Sequence, residues 1–332
     1  MTARSLHLPV AAQPSVDSLV SLAVLGERRG YDRVWLPESW GRDAVTVLTR
    51  IATETEQIGI GPSILNVYSR SPALLAQTAV TLGEVSAGRL RVGVGPSGPA
   101  VVEGWHGVEF DRPLRRTREY VEIFRTITAG ESLEYDGDVF SVSGFRLRCE
   151  PPDEPIPIDA AGMGPKSVEL AGRFADGWHA IVFTPEGFRD RLEDLHRGIE
   201  LGGRDQNDVR VSLSVTACAL EDGERARELA RGHVAFYVAA MGTYYRDSLA
   251  RQGYASEADA IAAAWANGDR EEATALVDDE LLDALCAAGT PERARSELEK
   301  FTAIEGLDEV AVGFPRGASP AEIEETVEAL SP

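Results

Sequence analysis

The chain has 332 residues, of which 54 are acidic and 33 are basic, and its formal net charge is −21. A carboxylate excess of this size disfavours nucleic-acid binding, because the phosphates would be repelled. No stretch approaches the roughly 18 uninterrupted apolar residues of a membrane span, and Met1–Pro14 lacks the apolar core of a signal peptide. We therefore expect a cytoplasmic protein that binds neither nucleic acid nor a membrane.

Two further compositional features concern lysine and cysteine. Only Lys166 and Lys300 are lysines, and this acidic, lysine-poor balance is typical of halophilic proteins, although a GC-rich genome also depletes lysine. It predicts a requirement for molar salt. The cysteines are far apart and show no CxxC spacing, which indicates reduced thiols that pack as small hydrophobic side chains; they are Cys149, Cys218 and Cys286.

Short apolar runs alternate with helical patterns along the whole chain. The predicted strands are eight, at residues 5–9, 33–36, 58–62, 90–95, 156–160, 178–183, 210–217 and 309–314. The predicted helices lie at residues 15–29, 44–54, 72–86, 113–129, 165–174, 185–200, a long tract from 223, and 319–329. Ser15, Ser71 and Ser319 are the predicted N-caps, and prolines follow at several of the helix starts. Repeated β–α units predict a parallel sheet, and eight of them predict a closed (β/α)8 TIM barrel of the α/β class. A doubly wound open sheet is the alternative.

Two segments interrupt this alternation. Residues 131–148 alternate with period two around Asp136-Gly137, which predicts a β-hairpin. Residues 242–288 are alanine-rich, helical and acidic. We interpret both as insertions into a single barrel domain that covers residues 1–332.

A barrel places its functional groups at the carboxyl ends of its strands, so the residues that follow each strand are the candidates. After the second strand, Glu38 is a candidate hydrogen-bond partner of a bound heterocycle, with Trp40 as a flat apolar surface. The alternative is that Asp43 caps the next helix and Glu38 is solvated. At the end of the first strand, His7 either faces the pocket or is packed.

Two glycine-rich segments are the next candidates. Gly93–Gly98 matches GxGxxG, but we predict no helix directly after it, so a glycine-lined strand end that a ligand approaches is favoured over a dinucleotide site or a plain turn. A second segment has small residues that end a strand before a proline opens a helix. Free N–H groups and the helix dipole there predict a phosphate site. Its residues are Gly162, Met163, Gly164, Pro165 and Lys166.

Metal-dependent and serine hydrolases are disfavoured. The five histidines show no HxH or HExxH spacing, and no GxSxG sequence occurs.

These segments together resemble the bacterial luciferase-like superfamily, in its coenzyme F420-dependent branch, and are most similar to methylenetetrahydromethanopterin reductase. The resemblance covers essentially the whole chain. The residues that carry it are 61–72, 81–90 with 93–96, 162–166 with 175–178, and 276–281 with 289–291.

The resemblance implies a barrel that holds the deazaflavin coenzyme F420 at its strand ends, with FMN as the alternative cofactor. It also implies a non-prolyl cis peptide that bulges against the ring, placed here at Ser63–Ile64. Gly95 and Pro96 are further candidates for cofactor binding. Glu38 takes the position of the family's acidic residue near the ring, and the Gly162–Lys166 turn holds the phosphate side. The implied catalytic residues are Glu38 and His7, and no metal is expected.

Three departures from the reductase leave its substrate open. Glu38-Ser39 replaces an Asp-His pair, His7 stands where the reductase has a glutamate, and Gly98 replaces an aspartate. We therefore predict hydride transfer between the deazaflavin and an organic small-molecule substrate, with a methylene-tetrahydropterin or folate as the candidate. The alternatives are an FMN-dependent luciferase-like monooxygenase and a non-catalytic flavin-binding barrel. A homodimer or homotetramer is expected from relatives.

Overall fold

The computed structural model describes residues 2–332. Its strands are β1 (Ala3–His7), β2 (Arg33–Leu36), β3 (Gly59–Pro62), β4 (Leu65–Asn66), β5 (Val92–Gly95), β6 (Leu133–Asp136), β7 (Ser141–Phe145), β8 (Ile158–Ala161), β9 (Gly177–Ile181), β10 (Arg210–Ala219), β11 (Cys286–Gly289) and β12 (Glu309–Gly313). Its α-helices are α1 (Val16–Arg28), α2 (Ala44–Glu54), α3 (Pro72–Val85), α4 (Pro99–Gly104), α5 (Pro113–Thr128), α6 (Pro165–Phe174), α7 (Pro185–Gly202), α8 (Gly223–Ala240), α9 (Thr243–Arg251), α10 (Ala255–Ala266), α11 (Arg270–Ala275), α12 (Asp279–Leu285), α13 (Pro291–Thr302) and α14 (Pro320–Ala329).

Each predicted strand overlaps an observed strand, with ends shifted by a few residues. The helix starts follow the predicted capping chemistry. Ser15, Ser71 and Ser319 each accept a backbone N–H of the first turn, and a proline follows Ser71 and Ser319 at the first helical position. None of the helices is long and apolar enough to cross a membrane, over the residues described.

The structure has two compact units. The first comprises the segments up to Asp32, Ala180–Glu193 and Val211–Pro332; the second comprises Arg33–His179 and Asp194–Arg210. The prediction of a single domain over residues 1–332 therefore stays a prediction.

In the first unit, β12 pairs in parallel with both β1 and β10, and β11 pairs with the other edge of β10. Strand β11 corrects one boundary from the sequence. The helical insertion predicted for residues 242–288 contains α9 to α12 but ends at Leu285, and Cys286–Gly289 is a buried strand. Its small Cys-Ala-Ala-Gly side chains have no β-branched or aromatic member, so the composition carries no strand signal.

In the second unit, β2 pairs with β3, and β4, β5, β8 and β9 form a continuous parallel run. The predicted hairpin is confirmed as the antiparallel pair β6–β7, in which the N–H of Gly137 donates to the oxygen of Phe140 at 2.8 Å. Strand β3 stops at Pro62 and β4 begins at Leu65; the peptide bond Ser63–Ile64 between them is cis, as the resemblance implies.

A buried ion cluster lies in the core of the second unit. The guanidinium of Arg91 donates to both oxygens of Asp159 at 2.6 Å, and Nε2 of His179 lies 3.1 Å from Oδ2 of the same carboxylate. Burial raises the pKa of Asp159, but Arg91 and His179 outweigh it and hold this pKa well below its usual range. The ring of Trp35 packs edge-on against His179, with centroids 4.4 Å apart. The cluster ties β5, β8 and β9 together beneath their carboxyl ends.

All three cysteines are free thiols, as predicted. Cys218 and Cys286 are buried, and burial raises the pKa of each to about 12. Cys149 is exposed, so the prediction of a packed hydrophobic side chain is wrong for it.

Candidate functional site

The turn between β8 and α6 is the candidate anion site. Gly164 is the N-cap of α6; its N–H donates to Oγ of Ser167 at 3.1 Å, and that hydroxyl donates back to its carbonyl at 2.8 Å. The indole N–H of Trp178 donates to the oxygen of Gly162 at 2.8 Å and fixes the turn from below. Within residues 2–332, the N–H groups of Met163 and Lys166 donate to no acceptor. Two N–H groups at a helix start therefore remain available to an anion.

The two glycines of this turn differ in the free space around them. A side chain at Gly164 would meet only Oγ of Ser167 at 3.8 Å, whereas one at Gly162 would meet that atom at 2.5 Å. The open side of the turn is therefore at Gly164. The ammonium of Lys166 binds Oε2 of Glu169 at 3.0 Å and its side chain is 73% exposed, so Lys166 offers its backbone N–H to the turn while its side chain runs along α6.

Gly95 and its neighbour Gly93 face the cis segment. A Cβ at Gly95 would lie 3.3 Å from the side chain of Ile64, and one at Gly93 would lie 2.6 Å from the oxygen of Pro62 and 3.3 Å from Ile64. The sequence predicts that a ligand approaches this glycine-lined strand end. The structure shows that the missing side chains make room for the side chain of Ile64, which packs against this strand end. The approach of a ligand stays a prediction. Pro96, which follows Gly95, is half-buried. The prediction that no helix directly follows Gly98 is wrong, because the short helix α4 begins at Pro99 with Gly98 as its N-cap.

Asn66 is a site residue that the sequence analysis does not single out. It lies in β4, opposite Gly95, and is 3% exposed. Its Oδ1 accepts the N–H of Tyr68 at 2.8 Å, but its Nδ2 is buried without a hydrogen-bond partner. A buried donor left unpaired costs roughly 1–3 kcal/mol, so it marks a place where a ligand acceptor would stabilise the protein. In the sequence, the only sign of this residue is a polar side chain two positions after the cis bond Ser63–Ile64.

Glu38 lies in an ion-pair network after β2. Arg70 binds both of its oxygens, with 3.0 Å between Nη2 and Oε2, and Oε2 also accepts the N–H of Ala44 at 2.9 Å. The Glu38 side chain is 12% exposed. The alternative of a solvated Glu38 is therefore wrong, and its carboxylate is committed to protein donors. Trp40, the predicted flat surface, is 52% exposed.

Asp43 caps α2, as the alternative interpretation holds. Its Oδ1 accepts the N–H of Thr46 at 2.7 Å, and its Oδ2 accepts Nη2 of Arg70 at 2.7 Å. Burial raises the pKa of Asp43, but the hydrogen bonds from Thr46 and the charge of Arg70 lower it further than burial raises it. The same two carboxylates raise the pKa of Arg70, which joins the loops after β2 and β4.

His7 ends β1 in the first unit and is half-buried. Because β1 and β12 are parallel, their carboxyl ends share one edge with Arg316, which follows β12. The N–H of Arg316 donates to Nδ1 of His233 at 3.0 Å. Burial, then the charges of Arg316 and His7, lower the pKa of His233 to about 3. His233 is therefore neutral near pH 7 and carries its proton on Nε2.

Aromatic side chains pack around His233. The ring of Tyr237 stacks on His233 with centroids 4.6 Å apart, and Tyr245 packs edge-on against Tyr237 at 5.1 Å. Tyr245 belongs to α9, and Gln252 after that helix donates to the oxygen of Val182 at 3.1 Å, just past β9. Helix α8, which carries His233 and Tyr237, and helix α9, which carries Tyr245, thus form an aromatic wall beside the strand ends of the first unit.

Comparisons with known proteins show the family of this chain. The family model described as luciferase-like monooxygenase matches residues 2–306. A putative coenzyme F420-dependent oxidoreductase of Mycobacterium tuberculosis is 32% identical over 310 residues, which cover 88% of this chain and 89% of the relative. The 5,10-methylenetetrahydromethanopterin reductase of Archaeoglobus fulgidus is 31% identical over 296 residues, 88% of each chain.

The chain belongs to the luciferase-like family, in its coenzyme F420-dependent branch.

A solved structure confirms the fold of this family member. The coenzyme F420-dependent tetrahydromethanopterin reductase of Methanopyrus kandleri superposes with a TM-score of 0.84 and 24% identity, over 99% of this chain and 97% of that one. The predicted (β/α)8 barrel is confirmed, and the open-sheet alternative is wrong. As a member of this family, the chain is an oxidoreductase.

Proposed function

We propose that this chain uses coenzyme F420 to transfer a hydride to or from an organic small-molecule substrate. The observation that carries the proposal is the anion-binding turn Gly162–Lys166, with its two available N–H groups, in a chain whose full-length relatives include F420-dependent enzymes. When bound, the coenzyme supplies a ring carbon that accepts or releases the hydride.

The residues of the second unit fit the parts of such a coenzyme. Met163 and Lys166 offer N–H groups to its phosphate, and the open side of the turn at Gly164 leaves room for that group. Ile64, supported by Gly95, is an apolar surface for a flat ring, and Asn66 has an unused amide donor for a ring oxygen or nitrogen.

The protein's own contribution is orientation, exclusion of water and proton transfer. Glu38 is committed to Arg70 and Ala44, so we assign it to positioning the loops after β2 and β4. Of the two candidate catalytic residues, His7 is therefore the one that we expect to transfer a proton. His233 offers a neutral Nε2–H donor to a substrate oxygen, since the backbone of Arg316 occupies its other nitrogen.

The substrate class is supported by the wall of the first unit. His7 stands at the position that a glutamate occupies in the reductase that this sequence resembles. The neighbouring aromatic wall consists of His233, Tyr237 and Tyr245. These groups suit a neutral carbonyl or hydroxyl compound as well as a reduced pterin, which keeps a methylene-tetrahydropterin or folate as the first candidate for assay.

The decisive experiment for the cofactor is a fluorescence titration of the purified protein in high salt with coenzyme F420 and, separately, with FMN. The proposal expects saturable binding of coenzyme F420 and at least tenfold weaker binding of FMN, a difference of about 1.4 kcal/mol. Oxygen-dependent turnover with reduced FMN, and none with coenzyme F420, would establish the monooxygenase alternative instead. Tight coenzyme binding without hydride exchange for any candidate substrate would establish the non-catalytic barrel.

A further inference from the structure

Arg316 lies at the carboxyl end of the last strand of the first unit. It follows β12 in a tight turn, in which the N–H of Ala318 donates to the oxygen of Pro315 at 3.4 Å. The next residue, Gly317, has a φ of 83°, which favours glycine. The backbone N–H of Arg316 donates to Nδ1 of His233 at 3.0 Å. The turn therefore holds Arg316 at the edge where a barrel carries its functional groups.

The guanidinium of Arg316 is held by packing and has no ionic partner. Its carbon lies 3.6 Å from the ring centroid of Phe236, which shares one face of α8 with His233. Over residues 2–332, this guanidinium forms no hydrogen bond or ion pair, in a chain with 54 acidic and 33 basic residues. Stacking on an aromatic face leaves the edge of the guanidinium, which carries the N–H donors, open to a ligand.

The polar groups around Arg316 are also hydrogen-bond donors. His233 carries its proton on Nε2, and the ring of Tyr237 stacks on it at 4.6 Å, followed by Tyr245 at 5.1 Å from Tyr237. Burial raises the pKa of both tyrosines, and the opposing charge of Arg316 acts on Tyr237. Both hydroxyls therefore keep their protons at neutral pH and can donate.

No acceptor engages these donors within the part of the chain that the structure describes. Nε2 of His233 and the hydroxyls of Tyr237 and Tyr245 form no hydrogen bond there, and no carboxylate pairs with Arg316. All three rings are half-buried, so their donors are partly shielded from water. A cation beside unpaired neutral donors suits a ligand group that brings a negative charge and several acceptor oxygens.

We propose that Arg316 binds a carboxylate or phosphate group of the substrate, with His233 and Tyr237 as adjacent hydrogen-bond donors. Both anions offer two oxygens to the fork of a guanidinium. The inference rests on the proposed function, because it takes the strand ends of the first unit as the substrate side. It narrows the substrate classes given above to compounds that carry an anionic group apart from the reacting carbon.

The test compares three aromatic probes by isothermal titration calorimetry at one KCl concentration: benzoate, phenyl phosphate and neutral benzamide, which has the shape of benzoate. The wild type should bind at least one anion about five- to tenfold more tightly than benzamide, as one charge-assisted pair allows. The anion that binds more tightly identifies the group on the substrate. Arg316→Gln should lose this preference and keep the affinity for benzamide, a result that a purely structural role of Arg316 would not give.

The matched control is Arg189→Gln, which removes an exposed arginine of α7 in the same unit that has no ion pair among residues 2–332. It should keep the preference for anions. Equal affinity of the wild type for benzamide and both anions, or a preference that persists in Arg316→Gln, would overturn the inference. Absence of binding by all three probes at millimolar concentration would overturn it as well.

A parallel titration with coenzyme F420 separates the inference from the proposed function. The wild type and Arg316→Gln should bind the coenzyme equally, because the residues assigned to it belong to the second unit. Coenzyme binding without a preference for anions overturns the inference alone. A preference for anions without coenzyme binding overturns the proposed function and leaves an anion site at Arg316.

Discussion

Arg70 binds both carboxylate oxygens of Glu38 and reaches Asp43 with the same Nη2 that bonds Oε2 of Glu38, so one guanidinium fixes the loop after β2 to the loop after β4. Bidentate pairs of this kind are the stronger and more directional hydrogen bonds of proteins. The acidic residue that the resemblance places near the ring is therefore a structural partner in this chain. This relationship changes which residue we expect to move a proton.

Glu38→Gln should slow hydride exchange by less than about tenfold, because the amide keeps an oxygen for Arg70 or for the N–H of Ala44. His7→Asn should slow it by about 10²–10⁴-fold, the range for loss of a general acid or base. Single-turnover spectroscopy of coenzyme reduction measures both, with Asp43→Asn as the control within the same network. A loss in Glu38→Gln equal to that in His7→Asn would contradict the assignment.

Asp159→Asn should lower the free energy of unfolding by about 3–5 kcal/mol, because it leaves the guanidinium of Arg91 buried without its counter-ion. Urea denaturation measures this. Asp153→Asn, at an exposed position, should change it by no more than about 0.5 kcal/mol. Equal stability of the two variants would show that the buried cluster does not stabilise the second unit.

The sequence predicts the strands, the capped helices and the barrel because these depend on local periodicity and on caps such as Ser71. It does not predict β11, since Cys286–Gly289 has only small side chains and becomes a strand through pairing with β10. The bond between Arg70 and Glu38 joins residues 32 positions apart, and no local pattern reports it. The unpaired Nδ2 of Asn66 is equally invisible, because satisfaction of a buried donor depends on tertiary neighbours.

His233 predicts a specific pH dependence of stability. Its pKa is lowered from 6.5 to about 3 in the folded chain, so between these values only the unfolded chain binds the proton. The contribution of neutral His233 to the free energy of unfolding is therefore fully present above pH 6.5, and it is lost as the pH falls from 6.5 towards 3. Relative to His233→Asn, the wild type should lose about 1 kcal/mol of unfolding free energy between pH 7 and about pH 5.5.

Denaturant titrations of both proteins at several pH values measure this difference. The exposed His196 provides the control, and His196→Asn should follow the wild type across the range. A pH-independent difference between His233→Asn and the wild type would mean that His233 is free to protonate in the folded protein.

The net charge of −21 predicts salt-dependent stability. Self-repulsion among carboxylates opposes the compact state, and salt screens it. The melting temperature should rise by several degrees between 0.1 M and 2 M KCl, as measured by differential scanning calorimetry. An unchanged melting temperature would favour a genomic origin for the lysine scarcity.

Isotope transfer tests most directly whether the protein moves a hydride between coenzyme F420 and a small organic substrate. The protein is incubated without oxygen with reduced coenzyme F420 deuterated at the hydride-donating carbon, together with candidate methylene-pterin and carbonyl substrates, which accept a hydride. Candidate hydroxyl substrates, which donate one, are instead deuterated at the carbon that bears the hydroxyl and incubated with oxidised coenzyme F420. We expect deuterium in one product, detected by mass spectrometry, and its loss in His7→Asn. No transfer of deuterium in either direction between a tightly bound coenzyme and any substrate class would contradict the account.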